Sequence, residues 1–302
     1  MRIILHAGYH KTATTWFQQR LYPHVKNFEY FKNRNDFREL VLNKDYYDFC
    51  YKTARLKIEN LVVNDFVVCE ENILGGLREN SLITIDIANR LKQVFPEAQM
   101  VFFIRSQPSR LASTYLYYLK QNGGTYSPKK FIQKQFNLPN KRGDINFSHL
   151  EYHRVIELYK KLFGVQNVHV FLYEEFAKDN WLFIENYCSK MGLEVDISTI
   201  NFAKENEGLR KGLVNLARFL GCFYQKPIIH KSVFLQIPYA EGIAKRKLRF
   251  LNKFGVFGDK PTPKELFGQE LYGWICNYYK ESNQMLVQKH GLTQLKDFDY
   301  PL

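Results

Sequence analysis

The chain has 302 residues, 45% of them hydrophobic, with 43 Lys and Arg against 30 Asp and Glu, for a formal net charge of +13. That length carries a sizeable core, and the absence of any run near the roughly 18–20 apolar residues of a bilayer span excludes a transmembrane helix from the reading. The short apolar run at the amino end stops at His and Lys and does not read as a secretory signal, so a cytoplasmic protein is expected. Ile3, Ile4 and Leu5 mark a first strand over 2–7, and 13–22 a helix closed by Pro23. Residues 24–60 are aromatic and charged without clear periodicity. Phe66–Cys69 reads as a second buried strand, and Ser81 to Phe95 as a helix with Ile83, Ile87, Leu91 and Val94 on one face. Met100–Ile104 is a third strand, followed by a helix from about Pro108 to Gln121 that stops at Gly123 and Gly124. A polar loop with Pro139, Lys141 and Arg142 leads to a helix near 148–163; Val168–Leu172 is a fourth strand and 180–191 a further helix. Beyond about 195 only helices are expected, at 209–224 and 264–290, with an irregular basic stretch between them.

Short β-rich runs alternating with helices predict an α/β fold: an open, mainly parallel sheet flanked by helices, with a helical C-terminal portion. No repeat or low-complexity linker marks a boundary. A single domain over 1–302 is expected, with a core of about 1–195 and a helical part of about 196–302. The five cysteines (Cys50, Cys69, Cys188, Cys222, Cys276) form no C-x-x-C pair, which argues against a zinc site or disulfide framework. His149 and His153 stand at i, i+4 without a third ligand, so no metal is expected. The positive charge points to an anionic partner, but no nucleic-acid recognition signature accompanies it.

In an open parallel sheet, ligands bind at the carboxyl ends of the strands, so the loops after the first three strands should converge. After strand one come Gly8, His10, Lys11, Thr12, Ala13, Thr14 and Thr15, a tight loop running into a helix start. Unpaired N–H groups, the helix dipole, a lysine and hydroxyls together make a phosphate cradle. Lys11 comes three residues after the only Gly, with no Gly-Lys-[Ser/Thr], so the loop is unlike that of a nucleoside triphosphatase. After strand two come Glu70, Glu71 and Asn72. After strand three come Arg105, a bidentate fork for a phosphate dianion, and Ser113 two turns into the next helix. Two anion sites on neighbouring loops suit a ligand phosphorylated at two positions. His6 and His10 read as packing or supporting residues, and Tyr115, Tyr117 and Tyr118 as helix core.

The pattern Gly-x-x-Lys-Thr-x-Thr-Thr after strand one, with Arg-x-Gln-x-x-x-x-x-Ser-x-Tyr after strand three, resembles the sulfotransferases, in their bacterial form, over about residues 1–190. The resemblance implies 3′-phosphoadenosine 5′-phosphosulfate (PAPS) as sulfuryl donor, adenosine 3′,5′-bisphosphate (PAP) as product, and no metal. Lys11, Thr12, Thr14 and Thr15, with the backbone of Ala13, would hold the 5′-phosphosulfate; Arg105 and Ser113 would clamp the 3′-phosphate. Glu71 matches the carboxylate that acts as base in glycan-modifying members, with Glu70 beside it as the alternative. Tyr173, in Val168-His-Val-Phe-Leu-Tyr-Glu-Glu-Phe176, matches a tyrosine near the adenine, and Arg210-Lys211-Gly212 resembles a late phosphate-binding segment of animal members. Ala13 departs from the commoner Gly, and Pro108 stands one place later than in animal enzymes.

The expected reaction is in-line transfer of the sulfuryl group to a hydroxyl or amine of a glycan or small molecule, Lys11 stabilising the leaving phosphate and Glu71 taking the acceptor proton. The acceptor should be read from 24–60, 123–147 and 225–262, where Lys129, Lys130, Lys141, Arg142, Lys245, Arg246 and Lys247 favour an anionic or sugar-like molecule. Two other classes stay open: a small-molecule kinase and a non-catalytic module binding anionic glycans.

Overall fold

The computed structural model describes residues 1–75, 83–137, 147–203, 208–224 and 231–302. Ser81, Pro139, Lys141 and Arg142 of the sequence reading lie outside these residues. The described chain divides into two compact units. The first comprises Met1–Arg105, Asn146–Glu205 and Ser282–Gln294; the second comprises Ser106–Ile145, Asn206–Glu281 and Leu295–Leu302.

The first unit is built on a five-stranded, all-parallel sheet. Its strands are β1 (Ile3–His6), β2 (Glu29–Tyr30), β3 (Phe66–Cys69), β4 (Gln99–Ile104) and β5 (Val168–Leu172), in the order β2-β3-β1-β4-β5. β1 is central: Ile3–His6 pairs with Phe66–Cys69 on one side, and Ile4–His6 with Gln99–Val101 on the other. These are continuous β-branched and aromatic runs because both faces of the sheet are covered.

On one face, Ile4, Val67, Cys69, Val101, Phe103 and Phe171 pack against Trp16, Phe17 and Leu21, and against Phe183, Ile184 and Tyr187. The first trio belongs to a helical segment that starts as α1 (Thr14–Trp16), widens to a π-helix over Phe17–Leu21 and tightens to a 3₁₀ turn over Tyr22–His24. Pro23 thus sits inside the last turn instead of ending the helix before it. The second trio is on α9 (Asn180–Met191), which follows the short α8 (Tyr173–Lys178). On the other face, Phe66 meets Phe95 at 6.0 Å, just past α4 (Thr84–Val94), and Phe102 meets Tyr159 of α7 (Tyr152–Phe163) at 5.0 Å. The region 24–60, unreadable by periodicity, supplies the edge strand β2 and two helical segments: α2 (Arg34–Phe37) with its continuation Arg38–Leu42, and α3 (Tyr51–Glu59).

The second unit is helical. It contains α5 (Gln107–Asn122), α6 (Pro128–Phe136), α10 (Val214–Gly221), α11 (Ala240–Leu251) and the greater part of α12 (Pro263–His290), which Gly268 interrupts at φ 75. α5 and α10 approach closely at their carboxyl ends, where a Cβ on Gly221 would lie 2.4 Å from the Gly123 carbonyl oxygen. Tyr115 and Tyr118 are core residues. The stretch expected to be irregular contains α11, whose buried side is only Ala244 and Leu248, too narrow a stripe to register as periodicity. No described helix is long and apolar enough to cross a membrane.

Phe103 is fully buried and ties the sheet to its cover, stacking on His6 at 4.7 Å and Phe171 at 5.4 Å and meeting Phe17 at 4.7 Å. Phe103→Ala is therefore expected to destabilise the fold by about 3–5 kcal/mol, read as a lower urea midpoint by circular dichroism.

Candidate active site

The loop after β1 leaves the sheet alongside β4: the Ala7 N–H donates to the Val101 carbonyl at 2.8 Å and that of Tyr9 to Phe103 at 3.4 Å. It then turns through two left-handed residues, Lys11 (φ 74) and Ala13 (φ 66), before α1 begins. Left-handed backbone disfavours any residue with a Cβ and persists where its surroundings hold it, most often at functional sites. This accounts physically for glycine being the easier residue where Ala13 stands. Gly8 is required by contact: a Cβ there would lie 2.4 Å from Thr14 Cγ2 and 3.1 Å from both His6 Nε2 and Thr12 Oγ1. Thr12 is buried and its hydroxyl donates to the Tyr9 carbonyl, bracing the loop from within. Lys11, Ala13 and Thr15 are half-buried.

The two neighbouring carboxylates have different partners. Glu70 is fully buried. Its oxygens accept from Arg38 Nε at 2.9 Å and Nη2 at 3.1 Å, and Oε1 also accepts the Asn72 N–H at 2.9 Å, capping the 3₁₀ turn Glu71–Leu74. Glu71 faces the β1 loop: the Thr14 hydroxyl donates to its Oε1, and His10 Nδ1 lies 3.2 Å from its Oε2. Burial alone would raise the Glu71 pKa. The hydrogen bond and charge of His10, the Thr14 hydroxyl and the charge of Arg34 outweigh it and pull the carboxyl down to about 2. An ionised carboxylate only accepts, so Nδ1 of His10 carries a proton in this contact. The His10 Nε2 is buried and has no hydrogen-bond partner among the described residues.

Arg105, at the end of β4, is buried beside the same loop. Its Nη1 donates to the Lys11 carbonyl at 2.9 Å, and its guanidinium lies over the Tyr173 ring, 4.2 Å from the centroid. The Tyr152 hydroxyl donates to the Arg105 carbonyl at 2.7 Å and fixes the backbone there. Thus Gly8 to Thr15, Glu71, Arg105 and Tyr173 come together at the carboxyl edge of the sheet, while Glu70 is turned to Arg38. His6 lies beneath the loop as a packing residue. Its Nδ1 is 2.6 Å from the Tyr22 hydroxyl, which is 2.7 Å from that of Tyr187, and burial depresses its pKa to about 3.

Ser113, on α5, and Arg210 and Lys211 belong to the second unit. Arg210 Nε and Nη1 donate to the carbonyls of Asn252 and Gly258, both at 2.8 Å, and Lys211 pairs with Glu265 at 2.7 Å, so both have intra-unit partners. A concavity of about 850 Å³ lined by Met1, Lys26, Phe28, Glu29 and Asp65 opens at the amino ends of β1 and β3, opposite to where strand-end ligand chemistry gathers. Two partnerships escaped sequence reasoning, Arg38 with Glu70 and His10 with Glu71. Arg38 lies in the region without periodicity; for His10 the only signal was its place one residue before Lys11.

Because the Glu71 pKa is lower folded than its ordinary 4.5, ionised Glu71 stabilises the fold above that pH, and the contribution fades as pH falls towards 2. Denaturant midpoints taken from about pH 6 down to about pH 3 should fall more steeply for the wild type than for Glu71→Gln, by up to about 1.4 kcal/mol per pH unit. Parallel slopes would mean that Glu71 is not held in this environment.

The chain is similar to two solved sulfotransferases. One, from Alicyclobacillus acidocaldarius, is 16% identical, with a TM-score of 0.48 over 68% of this chain and 87% of that one. The other, mouse SULT7A1 complexed with PAP, is 14% identical, with a TM-score of 0.44 over 98% of this chain and 88% of that one. No family model and no curated protein matches the sequence.

Proposed function

We propose that the chain transfers a sulfuryl group from PAPS to a hydroxyl or amine of a small molecule or glycan, releasing PAP. The observation that carries this reading is the joining of two anion-binding groups by one hydrogen bond: Arg105 Nη1 donates to the carbonyl of Lys11, whose loop opens onto the start of α1. Two such groups suit a nucleotide with a phosphate at its 3′ position and a phosphosulfate at its 5′ position. The left-handed backbone of the loop suits the approach of an anion to main-chain N–H groups, and Gly8 lets Thr14 and Thr12 pack closely beneath it. Arg105 is suited to the 3′-phosphate and Tyr173, beneath its guanidinium, to the neighbouring ring system.

Bound donor supplies an electrophilic sulfur joined to a phosphate leaving group. As the bond from the acceptor atom to sulfur forms and the sulfur to bridging-oxygen bond breaks, Lys11 and the N–H groups at the start of α1 meet the charge that grows on the bridging oxygen. The acceptor proton passes to the His10–Glu71 pair. Glu71, ionised down to about pH 2, is a weak base by itself. It holds His10 Nδ1–H and leaves Nε2 to take the proton, then stabilises the imidazolium by charge. Glu71 is therefore the carboxylate of the base and His10 the atom-level acceptor. Glu70, bound by Arg38 and the Asn72 N–H, maintains the turn that carries Glu71.

Titration calorimetry with PAP and with ATP·Mg²⁺ tests the assignment. Tight, metal-independent binding of PAP is expected, weakened in Arg105→Ala; a preference for ATP·Mg²⁺ would replace this reading with a kinase. In sulfuryl-transfer assays with labelled donor over an acceptor panel, Lys11→Ala should lose about 10²–10³-fold in kcat. Glu71→Gln and His10→Asn should each lose about 10²–10⁴-fold with PAP affinity kept. Full activity in His10→Asn would return the base role to Glu71 alone.

A further inference from the structure

The segment 231–258 of the second unit contains none of the residues given a role in the proposed transfer. The segment 231–258 carries six Lys and Arg and one carboxylate, Glu241, which is paired with Lys245 at 2.8 Å. α11 buries Ala244 and Leu248 against its own unit, and its outer stripe, at i, i+4, i+7 and i+11, is Ile243, Lys247, Phe250 and Phe254. Ile243 is 58% and Phe250 60% exposed, and Phe250 meets Phe254 edge-to-face at 5.0 Å with both rings towards solvent. The residues leading into the helix continue the pattern: Phe234 and Tyr239 are each 90% exposed, with Leu235 and Ile237 exposed between them. Arg246, Arg249 and Lys253 flank the stripe and are exposed as well.

Scattered exposed apolar residues need no explanation, but a run of large ones on one short segment, interleaved with a single sign of charge, does. Chemistry discriminates between occupants. A second copy of the chain meeting this face across a two-fold axis would set the cations of one copy against those of the other. A nucleic acid or acidic glycan would satisfy the cations and stack on the aromatics, but would leave Ile243, Leu235 and Ile237 in water. The interface of an anionic bilayer takes both: the apolar side chains enter the headgroup–acyl boundary while Lys and Arg stay among the phosphates. We infer that the segment 231–258, centred on α11, docks the protein peripherally on an anionic lipid surface, lying in the interface without crossing it.

Flotation of the full chain with vesicles of phosphatidylcholine, with and without phosphatidylglycerol, tests this. The residues concerned are solvent-facing, so the variants Phe250→Ser with Ile243→Ser, and Arg246→Glu with Lys247→Glu, should fold, as circular dichroism will verify. Binding is expected only with phosphatidylglycerol, falling with added salt and falling about tenfold or more in each double variant. Three results would overturn the proposal. One is no binding to either vesicle, whether or not the chain binds heparin or DNA. Another is loss in the charge variant with full binding in the apolar variant, which marks simple anion attraction. The third is self-association in solution that the apolar variant abolishes, which assigns the surface to a second copy.

Discussion

The site depends on the parallel pairing of β1 between β3 and β4. Parallel strands discharge all their carboxyl ends at one edge, and a central β1 makes the loops after these three strands neighbours. The chain extends that pairing beyond the sheet: the N–H groups of Ala7 and Tyr9 still bond to β4 carbonyls after β1 has ended. The loop is therefore held along one side by β4 and closed on the other by the Thr14–Glu71 hydrogen bond from the end of β3. Lys11 and Ala13 can be left-handed because both ends of the loop are anchored, and the energy of that conformation is met by contacts outside it.

Two adjacent carboxylates at the end of one strand come to different chemistry because successive side chains leave the backbone on opposite sides. The buried Glu70 goes to the half-buried guanidinium of Arg38, where a bidentate pair and a main-chain N–H satisfy it. An ion pair of this kind adds little net stability, but removing one partner would leave the other uncompensated, so it defines the turn. Glu71, one residue on, meets a histidine and a threonine. Its carboxylate keeps the charge because these two partners outweigh its burial.

What the sequence made legible follows from burial. Phe66–Cys69 was readable to the residue because a buried parallel strand is continuously apolar, and Val168–Leu172 because His169 is its one polar residue. β2 was not, because two residues at a sheet edge, Glu29 and Tyr30, leave no periodicity. α6 was absorbed into a loop by its lysines, and α11 was masked because its solvent face carries Ile243 and Phe250 where a soluble helix should be polar. Lys11 and Arg105 are suggested as site residues by type and strand-end position alone. The different settings of Glu70 and Glu71 are not: they come from Arg38 and His10, which lie 32 and 61 residues away in sequence, and no local pattern encodes those contacts.

The formal charge of +13 is the balance of 43 Lys and Arg against 30 Asp and Glu, and two groups among these cations have different settings. At the loop, cations are few: Lys11 and Arg105 act beside main-chain N–H groups, and the buried Arg105 is held by a carbonyl and an aromatic ring. On the proposed reading, a site of this kind draws its anion affinity from fixed dipoles and low exposure, and added salt screens it weakly. On 231–258, Arg246, Lys247, Arg249 and Lys253 are exposed beside apolar neighbours, while Lys245 pairs with Glu241 and Lys231 donates to the carbonyls of Gly123 and Gly221. That arrangement has no geometry for a single anion, is strongly screened, and works only against an extended surface of opposite charge that can also accept hydrocarbon. Net charge alone points to an anionic partner; on the two proposals above, Lys11 and Arg105 at the loop and the exposed amphipathic segment meet two partners of different size, a nucleotide and a surface.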